Sequence, residues 1–363
     1  MRSRILKITS PEKQPQEIEK ALQVLKKGGI LCLPTDTVYG LAVDAYNERA
    51  VDRLYQLKKR AEEKPLILFP KDHKIIVHLV KYFSPSALAL ISNFWPGPLT
   101  LIFEASIKKP RCLVSKEGKI GVRMPSHPVP RIISQKDNLL LATTSANISG
   151  EKSAVEVQNL SPVIKEGVDL ILDSGPAFFG KESTIVDITT VPPHIIREGK
   201  IRQDEIKRVC EKGLNILFVC TANMCRSVMA EAIFKNLWPG DSPYKVNVRS
   251  AGINTVPSSP PSRFTVAVMK KRGIDIRSHL STPLTDELIN KSDVIFVMER
   301  GHRDYLVKLY PEAQNKIWLL KEFSRGKEEE VFDPAGASEE FHQEKARELE
   351  KEIEKIVEKM GEK

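Results

Sequence analysis

The sequence predicts an α/β protein in two parts: a mixed, twisted sheet with helices, then a four-stranded, parallel, doubly wound sheet. Three observations carry that expectation. Short apolar runs alternate with helical patterns throughout the 363 residues. In the first half several runs follow one another without room for a crossover helix, so neighbouring strands must be partly antiparallel. In the second half a helical stretch separates each run from the next, the alternation that builds a parallel sheet covered on both faces.

In chain order, the first-half strands are expected at GILCLP (29–34), PLILF (65–69), PLTLIFEA (98–105), KIGVRMP (119–125), LLLATTS (139–145), DLILD (169–173), STIVDI (183–188) and HIIRE (194–198). The charged stretch RQDEIKRVCEKG then sets Ile206, Val209 and Cys210 at helical spacing, with Gly213 as its C-terminal cap. NILFVC opens a fresh buried strand after it. The expected domains are residues 1–205, a linker helix at 206–213, and residues 214–363. Second-half strands fall at ILFV (216–219), YKVNVRS (244–250), DVIFVM (293–298) and KIWLL (316–320), with helical patterns such as VMAEAIFKNL (228–237) between them. A last helix after Asp333 aligns Phe341, Leu349, Ile353, Ile356 and Met360 in one apolar stripe.

Composition bounds the function. A hydrophobic content of 41% and a charged content of 28% suit a globular protein with a sizeable core. The opening MRSRILKITSPEK lacks the apolar centre of a secretory signal, and no apolar run approaches a membrane span. Five scattered cysteines do not read as a disulfide framework, so a reducing cytoplasm is expected. The net charge of +9 points to an anionic partner (nucleotide, phosphoprotein or RNA) or to a lysine-rich solvated surface.

VCTANMCRS (219–227) raises the chemical question. A C-x5-R spacing alone is a weak signal. Here it follows a buried strand and leads directly into an amphipathic helix, so loop N–H groups and the helix N-terminus form an anion cradle. Arg226 adds a bidentate fork for two phosphate oxygens. The same field favours the thiolate of Cys220, the nucleophile. Ser227 donates to the sulfur and helps it leave, and Asn223 holds the loop through side-chain-to-backbone bonds. Asp333, in VFDPAG, is the candidate general acid at the same end of the sheet. Cys225 reads as a space filler or as a partner for a reversible disulfide with Cys220.

Residues 214–360 resemble the low-molecular-weight protein phosphatases along their whole length. The matching pieces are CTANMCRS with the following MAE, SAG (250–252), VMER (297–300) with His302 close after, and DP (333–334). The resemblance implies Cys220 as nucleophile, Arg226 as phosphate ligand and Asp333 as general acid. Three positions depart from the usual pattern: Ala222 for Gly, Met224 for an aliphatic residue or Thr, and Val228 for Pro. Tyrosine-directed members carry aromatic residues just after the DP. Here Ala335-Gly336-Ala337-Ser338 follows, closer to the bacterial arginine-phosphate branch, although that branch's loop Thr is Met224. The implied substrate is a phosphorylated protein, with arginine phosphate ahead of tyrosine phosphate.

In the first half, PTDTVYG (34–40), LKKRAEEKPLIL (57–68) and TTSANISG (143–150) gather hydroxyls, amides and cations at strand and helix ends. Arg123 in GVRMPSHP and Arg197 in REG join them. Such a set suits a polyphosphate held by side chains. None is a Walker loop or a GxGxxG fingerprint, and no His and Cys spacing suits a metal. With WPGPLT and STIVD, the order and combination resemble the threonylcarbamoyl-AMP synthase family, the YrdC-like proteins of tRNA modification, from about residue 14 to 200. The resemblance implies that L-threonine, bicarbonate and ATP, with Mg2+ on the polyphosphate, give threonylcarbamoyl-AMP and pyrophosphate for the t6A modification of tRNA. It assigns Lys58, Arg60, Ser145, Asn147 and Arg197 to the nucleotide, and Thr35, Arg123, Thr143 and Ser183 to threonine. It implies no tightly bound cofactor, and a tRNA-modifying transferase downstream. Lys59 stands in place of a Gly, and Ala61 where Pro is frequent.

Rival readings keep the fold and change the role. The first domain would hold RNA without catalysis, or hydrolyse the adenylate, or the phosphatase loop would be inactive. Aromatic content of 6% argues against an RNA reader built on stacking platforms.

Overall fold

The computed structural model describes residues 4–108, 110–136 and 139–361. Contacts divide the chain into two compact units, Met1–Lys81 with Phe94–Ile206, and Tyr82–Asn93 with Lys207–Lys363. In chain order come β1 (Arg4–Lys7), α1 (Pro15–Lys26), β2 (Leu31–Leu33), β3 (Gly40–Asp44), α2 (Glu48–Lys58), β4 (Ile67–Phe69) and α3 (Pro85–Phe94). Then follow β5 (Leu99–Glu104), β6 (Lys119–Val122), α4 (Pro128–Gln135), β7 (Leu141–Ser145), α5 (Pro162–Gly167), β8 (Leu170–Asp173), β9 (Thr184–Asp187) and β10 (His194–Arg197). These ten strands form one sheet in the order β1-β8-β2-β3-β7-β4-β6-β5-β9-β10. β1, β8 and β2 run parallel, while β3 pairs antiparallel with both β2 and β7, so the sheet is mixed as expected.

Two strands escaped the sequence reading. β1 is a short, mostly exposed run with a charged residue at each end. β3, GLAVD, lies buried between two neighbours, but its Gly and Ala carry little strand propensity. The core beneath this sheet is set by the three-and-four spacing of Ile18, Ala21, Leu22 and Leu25 on α1, packed with Leu31, Leu33, Leu141 and Leu172.

α6 (Gln203–Lys212) ends at Gly213, whose φ of +84° supplies the expected left-handed cap. The second unit continues with β11 (Leu214–Cys220), α7 (Arg226–Leu237), β12 (Val246–Gly252), α8 (Arg263–Lys270), α9 (Asp286–Lys291), β13 (Val294–Val297), α10 (Arg300–Leu309), β14 (Ile317–Leu319), α11 (Leu320–Arg325) and α12 (Glu339–Lys359). The four strands are all parallel, in the order β12-β11-β13-β14. One face of the sheet buries Leu217, Val219, Ile295, Val297 and Leu319; on the other, Phe218 stacks on Phe296 with ring centroids 5.5 Å apart.

The apolar stripe of α12 needs a correction. Phe341 is only half-buried, and the stripe runs instead through His342, Ala346, Leu349, Ile353, Ile356 and Met360. That set keeps strict three-and-four spacing, whereas Phe341 sits one residue off it. Among the described residues, no helix is long and apolar enough to cross a membrane.

Candidate functional sites

In the second unit, the strand order puts the ends of β11 and β13 on either side of the topological switch point, where open parallel sheets hold ligands. Cys220 is the last residue of β11, and α7 begins at Arg226. Between them Asn223 takes a φ of +54°, a left-handed conformation that Asn tolerates. Ala222, standing where Gly is usual, is not among the residues of positive φ.

The Asn223 side chain is oriented by the Thr282 amide, which donates to its Oδ1 at 2.8 Å. That amide lies outside the cysteine loop, and two hydroxyls add to the bond. Asn223 Nδ2 donates to Ser227 Oγ at 2.9 Å and to Ser250 Oγ at 2.8 Å. Ser227 Oγ therefore accepts from Asn223 and keeps its own hydrogen for Cys220 Sγ, 3.0 Å away. Ser250 in turn donates to Glu231 Oε2 at 2.5 Å. The glycine of the SAG triplet has a steric reason. A Cβ on Gly252 would lie 2.7 Å from the Thr221 carbonyl oxygen and 2.9 Å from the Asn223 nitrogen.

Arg226 is buried, with both terminal nitrogens engaged. Nη2 donates to Asp333 Oδ2 at 2.5 Å, and Nη1 to the Val331 carbonyl at 3.0 Å and to Glu299. Arg226 Nη2 also donates to Thr221 Oγ1 at 3.3 Å, which leaves the Thr221 hydrogen for His302 Nε2 at 3.0 Å. Burial, and then the Arg226 charge, push His302 down, consistent with a neutral, accepting ring. Cys220, Met224, Phe264, Asp333 and Ala335 line one cleft of about 400 Å3. A thiol and a carboxylate thus line one cleft, with the Arg226 guanidinium bonded to the carboxylate, a set that can serve transfer of a phosphoryl group to sulfur. Glu299 and Thr221 were assigned no role from sequence; the quoted VMER motif was the signal for the first.

In the first unit the predicted residues fall into three clusters. Arg123 is buried; it donates to the Gly97 carbonyl at 3.1 Å, Thr37 Oγ1 at 2.8 Å and Asp36 Oδ1 at 2.8 Å. Thr35 Oγ1 is bound within its own turn, donating to the Val38 carbonyl at 2.6 Å, and Thr143 Oγ1 donates to the Ile67 carbonyl at 3.0 Å. Asp36 and Thr37 were not singled out, though PTDT spells them.

The second cluster closes the TTSAN turn. Lys58 Nζ donates to the carbonyls of Ser145 at 2.5 Å and Asn147 at 2.6 Å, and to Asn147 Oδ1 at 3.1 Å. Burial pushes its ammonium down to about 7. Lys59 holds a φ of +50° as the cap of α2, which explains why a Gly would suit that position. Arg60 does not join this cluster. Its guanidinium folds back on its own loop, donating to the carbonyls of Lys64 at 3.0 Å and Pro65 at 2.9 Å.

In the third, Ser183 Oγ lies 3.0 Å from Thr100 Oγ1, and Arg197 Nη2 donates to the Ser183 carbonyl at 2.9 Å. Arg123 is pushed down by burial, held up by Asp36, and pushed down further by the nearby charge of Arg197. Two cations sharing one neighbourhood favour an anionic ligand.

Two family models match the chain, one for each part. Residues 23–199 match the Sua5/YciO/YrdC family model, described as telomere recombination, and residues 215–363 match the model described as low molecular weight phosphotyrosine protein phosphatase. The threonylcarbamoyl-AMP synthase of Pyrococcus abyssi is 33% identical over 193 residues, covering 53% of this chain and 57% of that protein. A putative threonylcarbamoyl-AMP synthase of Methanocaldococcus jannaschii is 36% identical over 214 residues, covering 57% of this chain and 99% of that protein. A solved P. abyssi Sua5 structure has a TM-score of 0.54 at 22% identity, covering 87% of this chain and 97% of that one, a likeness of fold alone. The chain spans little more than half of the first of these relatives and nearly all of the second. It belongs to the threonylcarbamoyl-AMP synthase family, and behind that domain it carries one matching a second enzyme family, the low-molecular-weight phosphatases.

Proposed function

We propose that the chain is bifunctional, its first unit making threonylcarbamoyl-AMP and its second acting as a cysteine-dependent protein phosphatase. In the first reaction the amino nitrogen of L-threonine takes up bicarbonate with loss of water, giving a carbamate. The carbamate oxygen attacks the α-phosphorus of ATP, taken as its magnesium complex, and pyrophosphate leaves. No enzyme residue forms a bond, so catalysis is positioning and charge stabilisation. Arg123, Thr35, Thr143 and Ser183 serve threonine; Lys58, Arg60, Ser145, Asn147 and Arg197 serve the nucleotide. Supporting this reading is the convergence of hydroxyls, an amide and two unlike cation sites at the ends of strands in one sheet. The adenylate product is a mixed anhydride, so a transferase acting on tRNA is its consumer. A reducing compartment such as the cytoplasm suits the free thiols.

In the second reaction Cys220 sulfur attacks phosphorus, the bond to the leaving group breaks, and Asp333 hands that group a proton. Water then releases phosphate from the sulfur, with Ser227 stabilising the departing thiolate. Incoming phosphate takes the Arg226 nitrogen that Asp333 occupies, which frees the carboxyl for its part. The observation that carries this reading is the Asn223–Ser227–Cys220 chain of hydrogen bonds beside a buried Arg226.

The test uses full-length Cys220→Ser protein, which removes phosphatase background. Pyrophosphate release from ATP should require both L-threonine and bicarbonate, with the adenylate identified by mass. Release independent of either co-substrate, with RNA binding retained, would move the first unit to the binding-module reading. The unsubstituted protein should hydrolyse 4-nitrophenyl phosphate, and Cys220→Ser should not.

A further inference from the structure

We propose that His302 is a positioning residue of the phosphatase site: through the Thr221 hydroxyl it holds the Arg226 guanidinium in place while phosphate takes the position that Asp333 occupies. The proposal rests on the phosphatase reading above, which gives His302 no task. His302 lies in the first turn of α10 and is only 3% exposed. Its Nε2 meets Thr221 Oγ1 at 3.0 Å, and Thr221 directly follows the nucleophile in the loop.

The backbone of Thr221 is fixed, since its carbonyl accepts from the Asn254 amide at 2.9 Å. What the ring sets is the direction of the hydroxyl. Arg226 Nη2 donates to Thr221 Oγ1 at 3.3 Å, so the oxygen must turn a lone pair towards Arg226. It does so only while its one hydrogen points elsewhere, and His302 Nε2 takes that hydrogen. With no acceptor there, the hydroxyl is free to turn its hydrogen onto Nη2, where donor would meet donor. This bond matters most when substrate arrives. Asp333 holds Nη2 at 2.5 Å, and phosphate displaces it. Nη2 then keeps Thr221, while Nη1 keeps Glu299 and the Val331 carbonyl, so both prongs of the fork stay aimed at two phosphate oxygens.

A packing role alone would not call for an imidazole. His302 Nδ1 is buried and has no hydrogen-bond partner among the described residues. An orphaned buried polar atom costs stability that a leucine in this place would not. What the imidazole adds over an apolar ring is its bond to Thr221. Glu299 cannot take that bond over. Its Oε2 is 3.8 Å from Nε2, beyond hydrogen-bond reach, and its other oxygen is engaged with Arg226 Nη1. Burial and the Arg226 charge push the ring down, while Glu299, Asp333 and Glu330 hold it up; the direction is downwards, which favours the neutral, accepting form.

The experiment measures hydrolysis of 4-nitrophenyl phosphate, inhibition by inorganic phosphate and thermal unfolding, all on the full chain. The variants are His302→Gln, His302→Leu, Thr221→Val and the pair His302→Leu with Thr221→Val. His302→Leu and Thr221→Val should each lower kcat/KM by about tenfold and weaken phosphate inhibition by a similar factor. The pair should fall no more than about twofold below the weaker single variant, because both substitutions cut one chain of bonds. His302→Gln, whose amide oxygen can accept from Thr221, should stay within about threefold of the unsubstituted protein. The proposal is overturned if phosphate inhibition is unchanged in Thr221→Val, if the two losses multiply in the pair, or if His302→Gln falls as far as His302→Leu. A lower melting temperature in His302→Leu with phosphate inhibition intact would reduce His302 to packing and overturn it too. Should His302→Leu fail to fold, Thr221→Val and His302→Gln decide the matter between them. Failure of the unsubstituted protein to hydrolyse 4-nitrophenyl phosphate would instead sink the phosphatase reading itself.

Discussion

Replacing Gly252 with alanine tests whether the phosphatase loop is held by the strand beside it. Gly252 is the last residue of β12, in register with Cys220. An added Cβ would lie 2.7 Å from Thr221 O, 2.9 Å from Ala222 C and 2.9 Å from Asn223 N, all backbone atoms of the loop. Ordinary carbon contacts need about 3.5 Å, so loop and strand must separate by roughly 0.6–0.8 Å. The strand cannot simply withdraw. Its amide donates to the Thr282 carbonyl and its carbonyl accepts from the Leu284 amide, both at 2.9 Å. The end of β11 and the loop are also fastened to the segment just after β12, through Ile253 N to the Cys220 carbonyl at 3.0 Å and Asn254 N to the Thr221 carbonyl at 2.9 Å. Overpacking of this kind costs about 1–3 kcal/mol. A shift of several tenths of an ångström in groups that position phosphate should lower kcat/KM by about 10–100-fold. The assay is hydrolysis of 4-nitrophenyl phosphate, with inorganic phosphate as competitive inhibitor and thermal unfolding alongside. Activity and phosphate affinity within about twofold of the unsubstituted protein would refute the reasoning, since the contacts would then be too soft to matter.

Ser227→Ala should slow breakdown of the phosphocysteine more than its formation, so a burst of 4-nitrophenol should appear; equal slowing of both steps would contradict the leaving-group role. Arg123→Ala leaves Asp36 buried without its partner, whose Nη2 lies 2.8 Å from Oδ1, and should cost about 3–5 kcal/mol in chemical denaturation; a loss under about 1 kcal/mol would contradict the buried pair. Lys58 gives a pH test with a definite sign. Burial lowers it from 10.5 to about 7, so between those values the unfolded chain binds the extra proton and stability rises with pH. Relative to Lys58→Met, the unsubstituted protein should therefore gain stability from pH 7 to 9, by up to about 1.4 kcal/mol per pH unit, and parallel curves would refute the burial argument.

The phosphatase site was legible because it is local. Eight residues from Cys220 to Ser227 set a thiol, a run of loop amides and a guanidinium in a strand–loop–helix turn, and periodicity alone locates such a turn. Asp333 was legible only through its motif. Phe264 was not, because its place in the cleft depends on the bond from Ser262 to Met224 and on α12, neither of which leaves a spacing in the chain. The same limit explains the off-by-one stripe on α12, where a large apolar side chain at 341 outweighed a histidine at 342 that keeps the helical period. It also explains β3, whose burial comes from its neighbours and not from its own residues.

The first unit is legible in a different way. Its site residues are spread from Thr35 to Arg197, and each has a structural bond of its own: Thr35 within its turn, Arg123 to Asp36, Lys58 to the TTSAN turn and Arg197 to Ser183. A reaction with no covalent enzyme intermediate needs positioning above all, and positioning comes from side chains already fixed before substrate arrives. In the proposed synthase reaction each such residue serves fold and positioning at once. A loss of synthase activity on substituting Arg123 or Lys58 cannot be assigned to lost substrate contact until it exceeds what the stability change predicts. Arg60 is the exception that separates the two roles. Its guanidinium bonds to the carbonyls of Lys64 and Pro65 in its own loop and to the Tyr55 side chain on α2, so substituting it should cost less stability than substituting Arg123, and a rise in the KM for ATP beyond that cost would report the nucleotide.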